Sequence, residues 1–195
     1  MSKKVVMATN NANKLREVRE ILSPLGFEVF SQSEVNVSVE PDENGTTFKE
    51  NSLIKARAVY DALVEKMAVI ADDSGLCVDY LGGKPGVYSA RYAPKGEECE
   101  KLLSELEGVE PKKRTAHFVC GITFLDEHGK AAYIEGKLDG EIALEKRGEN
   151  GFGYDPVFLY NYRTLAEMTA EEKNEISHRG KALIVLSELL KGRYC

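Results

Sequence analysis

Residues 9–14, Thr-Asn-Asn-Ala-Asn-Lys, form the first segment that could do chemistry, and they lie where a predicted first strand meets a predicted first helix. Backbone amides at such a helix start point outward and carry partial positive charge, which suits phosphate. Lys14 adds a full charge. The segment lacks the Gly-x-x-x-x-Gly-Lys-Ser/Thr pattern of a P-loop, so it is either a different phosphate-binding turn or an Asn-rich helix cap.

An acidic segment, Asp72-Asp73-Ser74-Gly75, directly follows a short apolar run. Adjacent carboxylates on an extended backbone point in different directions, so one can face a metal ion while the other supports the loop. Mg²⁺ prefers carboxylates and water. Glu43 and Glu50 lie upstream as further candidate ligands. The alternative for residues 72–75 is an ordinary polar turn.

Two further segments combine aromatic and basic residues. In residues 151–156, Gly-Phe-Gly-Tyr-Asp-Pro, the glycines permit a bent backbone that exposes Phe152. An exposed ring can stack on a nucleobase, and Asp155 beside it can read a base edge. Lys173 and residues 177–180, Ser-His-Arg-Gly, could bind phosphate or a carbonyl oxygen. The alternatives are a ring packed in the core and a solvated helix surface.

These segments must be held by helices and strands that alternate along the chain. Apolar patterns predict strands near 4–8, 35–39, 67–71, 115–124, 131–138 and 157–160, with 76–80 as a continuation of the third. Helices are predicted after residue 12, after a capping box at Thr47, near 101–106, after a second capping box at Thr169, and up to Gly192. This interleaving predicts an α/β or mixed α+β fold.

Composition excludes several classes of protein. The chain has 195 residues and 21.6 kDa, which predicts one domain, 1–195, or two small lobes that share a core. Its net charge of −6 argues against a duplex nucleic-acid partner. No apolar run approaches the ~18 residues of a membrane span, and no secretory leader is apparent. The four cysteines are far apart, which favours thiols in a cytoplasmic protein over a zinc site.

Six stretches together resemble, in order, the Ham1/inosine triphosphatase family of dITP/XTP pyrophosphatases. They are residues 9–14, 47–57, 70–76, 85–92, 151–156 and 172–180. One departure is Asn10, which stands where members often have Gly. Because Asn also tolerates a positive φ, we expect a small adjustment of the phosphate loop there.

The resemblance implies a hydrolase that converts non-standard purine nucleoside triphosphates (ITP, dITP, XTP) to the monophosphate and pyrophosphate, with Mg²⁺. It implies an elongated mixed sheet flanked by helices, with a cleft between two lobes, and a cytoplasmic homodimer. In the implied site Asp73 is catalytic, Glu43 and Asp73 hold the metal, and Asp72 supports them. Substrate contacts fall on Thr9, Asn10, Asn11, Ala12, Asn13, Lys14, Lys55, Ser74, Phe152, Gly153, Tyr154, Asp155, Lys173, His178 and Arg179.

Two alternatives stay open. One is a related pyrophosphatase for modified pyrimidine or standard nucleotides. The other is a non-catalytic module that binds nucleotide or RNA, in which the acidic residues would have no task.

Overall fold

The computed structural model describes the backbone of residues 3–194 and the side chains of residues 3–192. In that part of the chain the helices are α1 (Ala12–Leu22), α2 (Phe48–Ala62), α3 (Glu98–Glu105), α4 (Ala170–Ile176) and α5 (His178–Tyr194). The strands are β1 (Lys3–Met7), β2 (Phe27–Ser31), β3 (Ala68–Val78), β4 (Lys84–Pro85), β5 (Thr115–Leu125), β6 (Ala131–Ile142), β7 (Phe158–Tyr160) and β8 (Arg163–Thr164).

The strands form one mixed sheet in the order β2-β1-β3-β5-β6-β7-β8, with β4 paired to β3. β1 runs parallel to both β2 and β3, whereas β7 is antiparallel to β6 and to β8. β5 and β6, which cover the predicted strands at 115–124 and 131–138, are neighbours joined by the turn at residues 126–130. The predicted mixed α/β class is confirmed.

The chain divides into two compact units. The first contains residues up to Asp73, Cys120–Gly136 and the chain from Arg179, and the second contains Ser74–Val119 and Lys137–His178. β3, β5 and β6 contribute residues to both. Within residues 3–194, no helix is long and apolar enough to cross a membrane.

In the first unit, alternate residues of the strands pack against different helices. Val5 and Met7 of β1 belong to a cluster with Val18 of α1 and Leu186 of α5. Val6 and Ala8 belong to another cluster, with Ala56 and Val59 of α2. Side chains alternate between the faces of a strand, so α1 and α5 cover one face of these strands and α2 covers the other.

The second unit has a core of its own. Leu76 and Val78 of β3 pack there with Leu102 of α3, Leu138 of β6 and Phe158 of β7. The same core includes Tyr154, which belongs to the predicted aromatic segment.

The predicted strand at residues 35–39 is wrong. Ser33–Val35 is a single 3₁₀ turn, and Asn36 has a φ of 56°, which breaks the extended path between Val35 and Val37. The edge strand in this region is instead β2, whose residues pair in register with β1 from Lys3↔Phe27 to Met7↔Ser31. The valines of 35–39 pack against the α2 face without a strand.

Two predicted element ends also move. β3 does not stop at Asp72 but continues as one strand to Val78, so residues 72–75 lie within it. Gly192 lies inside α5 and does not end it.

One predicted capping box forms in full and the other only in part. Thr169 and Glu172 exchange both bonds at the start of α4. At α2, the Thr47 side chain accepts from the Glu50 amide, and the Glu50 carboxylate accepts chiefly from the amide and hydroxyl of Thr46.

Candidate active site

Residues 9–14 build the turn from β1 into α1. Asn11 caps the helix, and its side-chain oxygen accepts from the amides of Asn13 at 3.0 Å and Lys14 at 3.2 Å. The Thr9 hydroxyl accepts from the Asn11 amide at 3.1 Å. The turn is largely solvent-exposed. It therefore combines an ordered helix N-terminus with a lysine, which is the arrangement expected for binding an anion.

Asn10 does not adopt the left-handed backbone that its place in the turn suggests. Among the described residues, the positive φ values outside glycine belong to Asn36, Asn161 and Tyr162. The Asn10 side chain instead donates to Glu40 at 2.9 Å and accepts from Gln32 at 3.4 Å. The expected adjustment of the turn is thus made by side-chain bonds and not by a glycine-like conformation.

The two adjacent aspartates of β3 contact different residues, as expected because successive side chains of a strand point to opposite faces of the sheet. Asp72 Oδ2 lies 3.1 Å from Lys14 Nζ and 3.2 Å from Arg179 Nε. Asp73 Oδ1 lies 3.5 Å from Lys55 Nζ on α2. Asp72 therefore lies with α1 and α5, and Asp73 lies with α2.

Asp73 is tied to the segment that carries Glu43. Asn51, wholly buried in α2, donates to Asp73 Oδ2 at 3.1 Å and accepts from the Gly45 amide at 2.8 Å. Lys55 bridges the two acids directly, because its ammonium also lies 2.8 Å from Glu43 Oε2. Two carboxylates and one lysine are thereby gathered around α2.

The protonation of this cluster follows from burial and charge. Burial raises the pKa of Asp73, although Lys55, the Asn51 hydrogen bond and Lys14 each act in the opposite direction. Burial alone would lower the pKa of Lys55, but the carboxylates of Asp72 and Asp73 outweigh it, so that this pKa is raised. Lys55 therefore stays charged, and Asp73 is a stronger base than an exposed aspartate.

The chemistry of Glu43 and Asp73 fits a magnesium ion. Both are oxygen donors that share Lys55, and Mg²⁺ is commonly held by one or two carboxylates together with substrate phosphates and water. The part of the chain that the structure describes contains no group of three or more His, Cys, Asp or Glu suited to a metal ion. The remaining ligands would then come from substrate and solvent.

In the second unit, residues 151–156 form a loop organised by Asp155. The Asp155 carboxylate accepts from the Phe152 amide at 2.7 Å and from Lys173 Nζ at 2.8 Å. Lys173 Nζ also lies 4.6 Å from the centre of the Phe152 ring. Asp155 and Lys173 are buried, whereas Phe152 is partly exposed. Of these three, Phe152 is the one whose surface is available for stacking.

The rest of this loop is anchored from inside the second unit. Tyr154 is buried and donates to the Ser89 carbonyl at 2.9 Å. The Gly153 carbonyl accepts from Cys99 Sγ at 3.3 Å, and burial raises the pKa of that thiol to about 11, so it remains a neutral donor. His178 is also buried, and its ring stacks on Phe118 with centroids 4.6 Å apart. Ser74, next to Asp73 in β3, is partly exposed.

Sequence reasoning assigned no role to two residues that the geometry brings into the site. Asn51 lies within the 47–57 stretch that carries the family resemblance, yet nothing in its type marks it as the link between Gly45 and Asp73. Glu17, on α1, is buried and accepts from Arg179 Nη1. The sequence contains only a weak signal for Glu17, which directly precedes Val18 and lies one turn before Ile21, at the edge of the apolar face of α1.

Comparison with known proteins agrees with this picture. The family model described as "Ham1 family" matches residues 5–189. The dITP/XTP pyrophosphatase of Bacillus subtilis is 49% identical over 195 residues, which covers 97% of this chain and 98% of the relative. The Ham1 protein of Coxiella burnetii has a TM-score of 0.86 at 41% identity, covering 97% of this chain and 99% of that one.

A second solved structure is equally similar. The Staphylococcus aureus Ham1 protein has a TM-score of 0.85 at 40% identity and covers 98% of this chain and 100% of its own. The residues that the family model matches include the turn, the acidic strand and the aromatic loop. The chain belongs to the Ham1 family.

Proposed function

We propose that this protein hydrolyses non-standard purine nucleoside triphosphates, such as ITP, dITP and XTP, to the monophosphate and pyrophosphate. The observation that carries this is the buried Asp73, held by Asn51 and Lys55 close to Glu43. The curated relatives of the same family are named dITP/XTP pyrophosphatases. A carboxylate base beside a lysine suits the attack of water on an anionic phosphoanhydride far better than passive binding of nucleotide or RNA.

In the proposed reaction, Asp73 orients the attacking water and takes its proton while the water attacks the α-phosphorus. Its raised pKa makes it a competent base, and Asn51 fixes its orientation. The bond to the β-phosphate breaks, and negative charge builds on the leaving pyrophosphate. Lys14 and the amides at the start of α1 stabilise that charge. Lys55 keeps the two acids together before substrate arrives.

Mg²⁺ is the proposed cofactor, and Glu43 and Asp73 would hold it. When bound, it neutralises phosphate charge and lowers the pKa of bound water. The donor set supports a hard divalent ion, because both ligands are carboxylates and no thiol or imidazole joins them among the described residues.

The base would be bound by Phe152, with Asp155 and Lys173 holding the loop behind it. Inosine and xanthosine carry oxygen at purine C6, whereas adenosine carries an amino group. A site that donates a hydrogen bond there can discriminate by ~10⁴ or more. Arg179 is a poor candidate for that donor, since it is buried against Asp72 and Glu17. A backbone amide is the better one.

A panel of triphosphates tests this function. Purified protein is incubated with Mg²⁺ and each of ITP, dITP, XTP, GTP, ATP and dUTP, and pyrophosphate release gives kcat/KM. We expect the first three to exceed ATP by about 10² or more. A ranking led by dUTP or by the standard nucleotides would favour the related pyrophosphatase. Tight binding of ITP without pyrophosphate release would favour the binding module.

We further propose one domain over residues 1–195, a homodimer, and a cytoplasmic location. The family resemblance supports the first two, and the location of the nucleoside triphosphate pool supports the third. Sedimentation equilibrium would test the dimer, for which the expected mass is twice the chain's 21.6 kDa. Fractionation of cells that produce the protein would test its location.

A further inference from the structure

Glu17 is a carboxylate in an unusual place. It lies on α1, only 6% exposed, next to the buried Val18 and one helical turn after Lys14. A glutamate is almost never buried to this extent unless it is paired. Its partner is Arg179 in the first turn of α5, which is 3% exposed and donates to Glu17 through Nη1.

Arg179 links Glu17 to the acidic strand. Its Nε donates to Asp72 Oδ2 at 3.2 Å, and the same oxygen lies 3.1 Å from Lys14 Nζ. Glu17, Arg179, Asp72 and Lys14 therefore form a chain of alternating charge that starts and ends on α1. Asp72 is 1% exposed, so three of the four charges are withdrawn from solvent.

The charges in this chain depend on one another. Burial alone would lower the pKa of Arg179. The negative charges of Asp72 and Glu17 outweigh burial and raise this pKa above its ordinary value, so the guanidinium stays charged. With Glu17 present, Arg179 is shared between two carboxylates, and Asp72 keeps enough negative charge to hold Lys14. Without the charge of Glu17, Arg179 would neutralise Asp72 by itself, and Lys14 would lose its anchor.

We propose that Glu17 is a positioning residue for Lys14, acting through Arg179 and Asp72 to hold its ammonium ready for the triphosphate. This rests on the proposed function, in which Lys14 contacts phosphate. An anchored lysine is ordered before substrate arrives, whereas a released one must be ordered when substrate binds, which weakens binding. The contribution of Glu17 is thus to substrate affinity and not to the chemistry at Asp73.

The first test compares Glu17→Gln with Glu20→Gln. Glu20 lies on the same helix, is largely exposed, and faces Arg16 at 3.8 Å, so it serves as the matched control. We expect Glu17→Gln to raise KM for ITP about tenfold with kcat within about threefold, and Glu20→Gln to change neither. A buried pair that only stabilises the fold would lower the unfolding midpoint and leave KM unchanged, which would overturn the proposal.

A double-mutant cycle tests whether the effect passes through Lys14. In a Lys14→Met background, Glu17→Gln should change KM by no more than about twofold, because the residue on which it acts is gone. A full tenfold effect in that background would contradict the proposal. If Glu17→Gln does not fold, Glu17→Asp moves the carboxylate one methylene away from Arg179, which breaks their direct contact, and we expect a smaller rise in KM. An unchanged KM in that variant would overturn the proposal as well.

Failure of the proposed function gives a different result. In that case the wild-type protein releases no pyrophosphate from any triphosphate. The role of Glu17 is then judged by calorimetric binding of inorganic tripolyphosphate to the wild type and to Glu17→Gln. About tenfold weaker binding by the variant supports it, and equal binding, or no binding to either protein, overturns it.

Discussion

Asp72 and Asp73 are adjacent and chemically identical, yet their contacts assign them different tasks. Asp72 binds two cations, Lys14 and Arg179, through one oxygen, so its negative charge is already compensated. Asp73 receives a hydrogen bond from Asn51, and its lysine is more distant at 3.5 Å. Burial raises the pKa of Asp73 despite those contacts. The residue available to accept a proton is therefore Asp73.

Replacing Asp73 with asparagine should abolish most of the activity. Asn keeps the shape, but its single side-chain oxygen can accept from only one of Asn51 and Lys55, and its amide cannot take a proton from water. We expect Asp73→Asn to lower kcat by at least ~10² while the far-ultraviolet circular dichroism spectrum and unfolding midpoint stay close to wild type. Turnover near the wild-type rate would remove Asp73 from the role of base.

Replacing Phe152 with alanine should affect substrate more than metal. Its ring is partly exposed, and Lys173 lies against it, so its loss removes stacking surface and leaves Glu43 and Asp73 untouched. We expect KM for ITP to rise about tenfold, in line with ~1–3 kcal/mol for stacking on a base. The Mg²⁺ concentration at half-maximal rate should not move. An unchanged KM would place the ring in a structural role.

The residues that sequence could identify are those whose type already suggests a reaction. Lys14, Asp73 and Phe152 stand out in short polar segments. Asn51 and Glu17 do not, because their importance arises from partners distant in the sequence: Gly45 and Asp73 for Asn51, Arg179 for Glu17. Such pairings depend on which strands and helices are neighbours, and the order β1-β3 with α1, α2 and α5 beside it is not encoded in local pattern.

Among the elements, β3 shows most clearly why boundaries were harder to predict than element types. Residues 72–75 are polar and contain a glycine, and this composition predicts a turn. The structure keeps them extended inside β3, which lies between β1 and β5 in the sheet. At residues 35–39 the composition misleads in the other direction. The alternating valines predict a strand, but the positive φ of Asn36 interrupts the extended backbone. Helix starts were predicted better, because caps such as Thr47 and Thr169 act locally.

The loop at residues 151–156 contains two glycines, Gly151 and Gly153, that differ in the space around them. Gly151 and Gly153 both have positive φ, 75° and 61°. A Cβ at Gly151 would lie 2.1 Å from Asp155 Oδ2, whereas a Cβ at Gly153 would meet nothing within 4 Å. Asp155 cannot move aside without losing Phe152 and Lys173.

We therefore expect Gly153→Ala to cost about 1 kcal/mol of unfolding free energy, the ordinary strain of a left-handed alanine. Gly151→Ala should cost about 3 kcal/mol, because it also breaks a buried ion pair. It should also raise KM for ITP. Urea unfolding and steady-state kinetics on both variants check this. Equal losses for the two would mean that backbone strain alone matters in this loop.

For the whole molecule, two buried arginines differ in whether their charge is paired. Arg114 and Arg179 are each 3% exposed. Arg179 is paired with Glu17 and Asp72. Arg114 Nε and Nη2 are buried with no hydrogen-bond partner among the described residues, and burial lowers the pKa of this guanidinium. The two guanidinium groups thus have the same small exposed fraction, but carboxylates offset the buried charge of Arg179 and none within residues 3–192 is seen to offset that of Arg114.

Methionine at each of these positions separates burial from pairing, since it fills much of the same volume without a charge. Arg179→Met removes the guanidinium that the buried Glu17 and Asp72 share and leaves Lys14 beside Asp72. We expect it to lower the free energy of unfolding by about 3–5 kcal/mol. Arg114→Met removes a charge whose burial nothing offsets in the described chain, so the change should stay within about 1 kcal/mol or be a gain. Urea unfolding of both variants at one pH and salt concentration measures the difference. A loss at Arg114 as large as that at Arg179 would mean that an anion from outside the described residues compensates Arg114 in the folded protein.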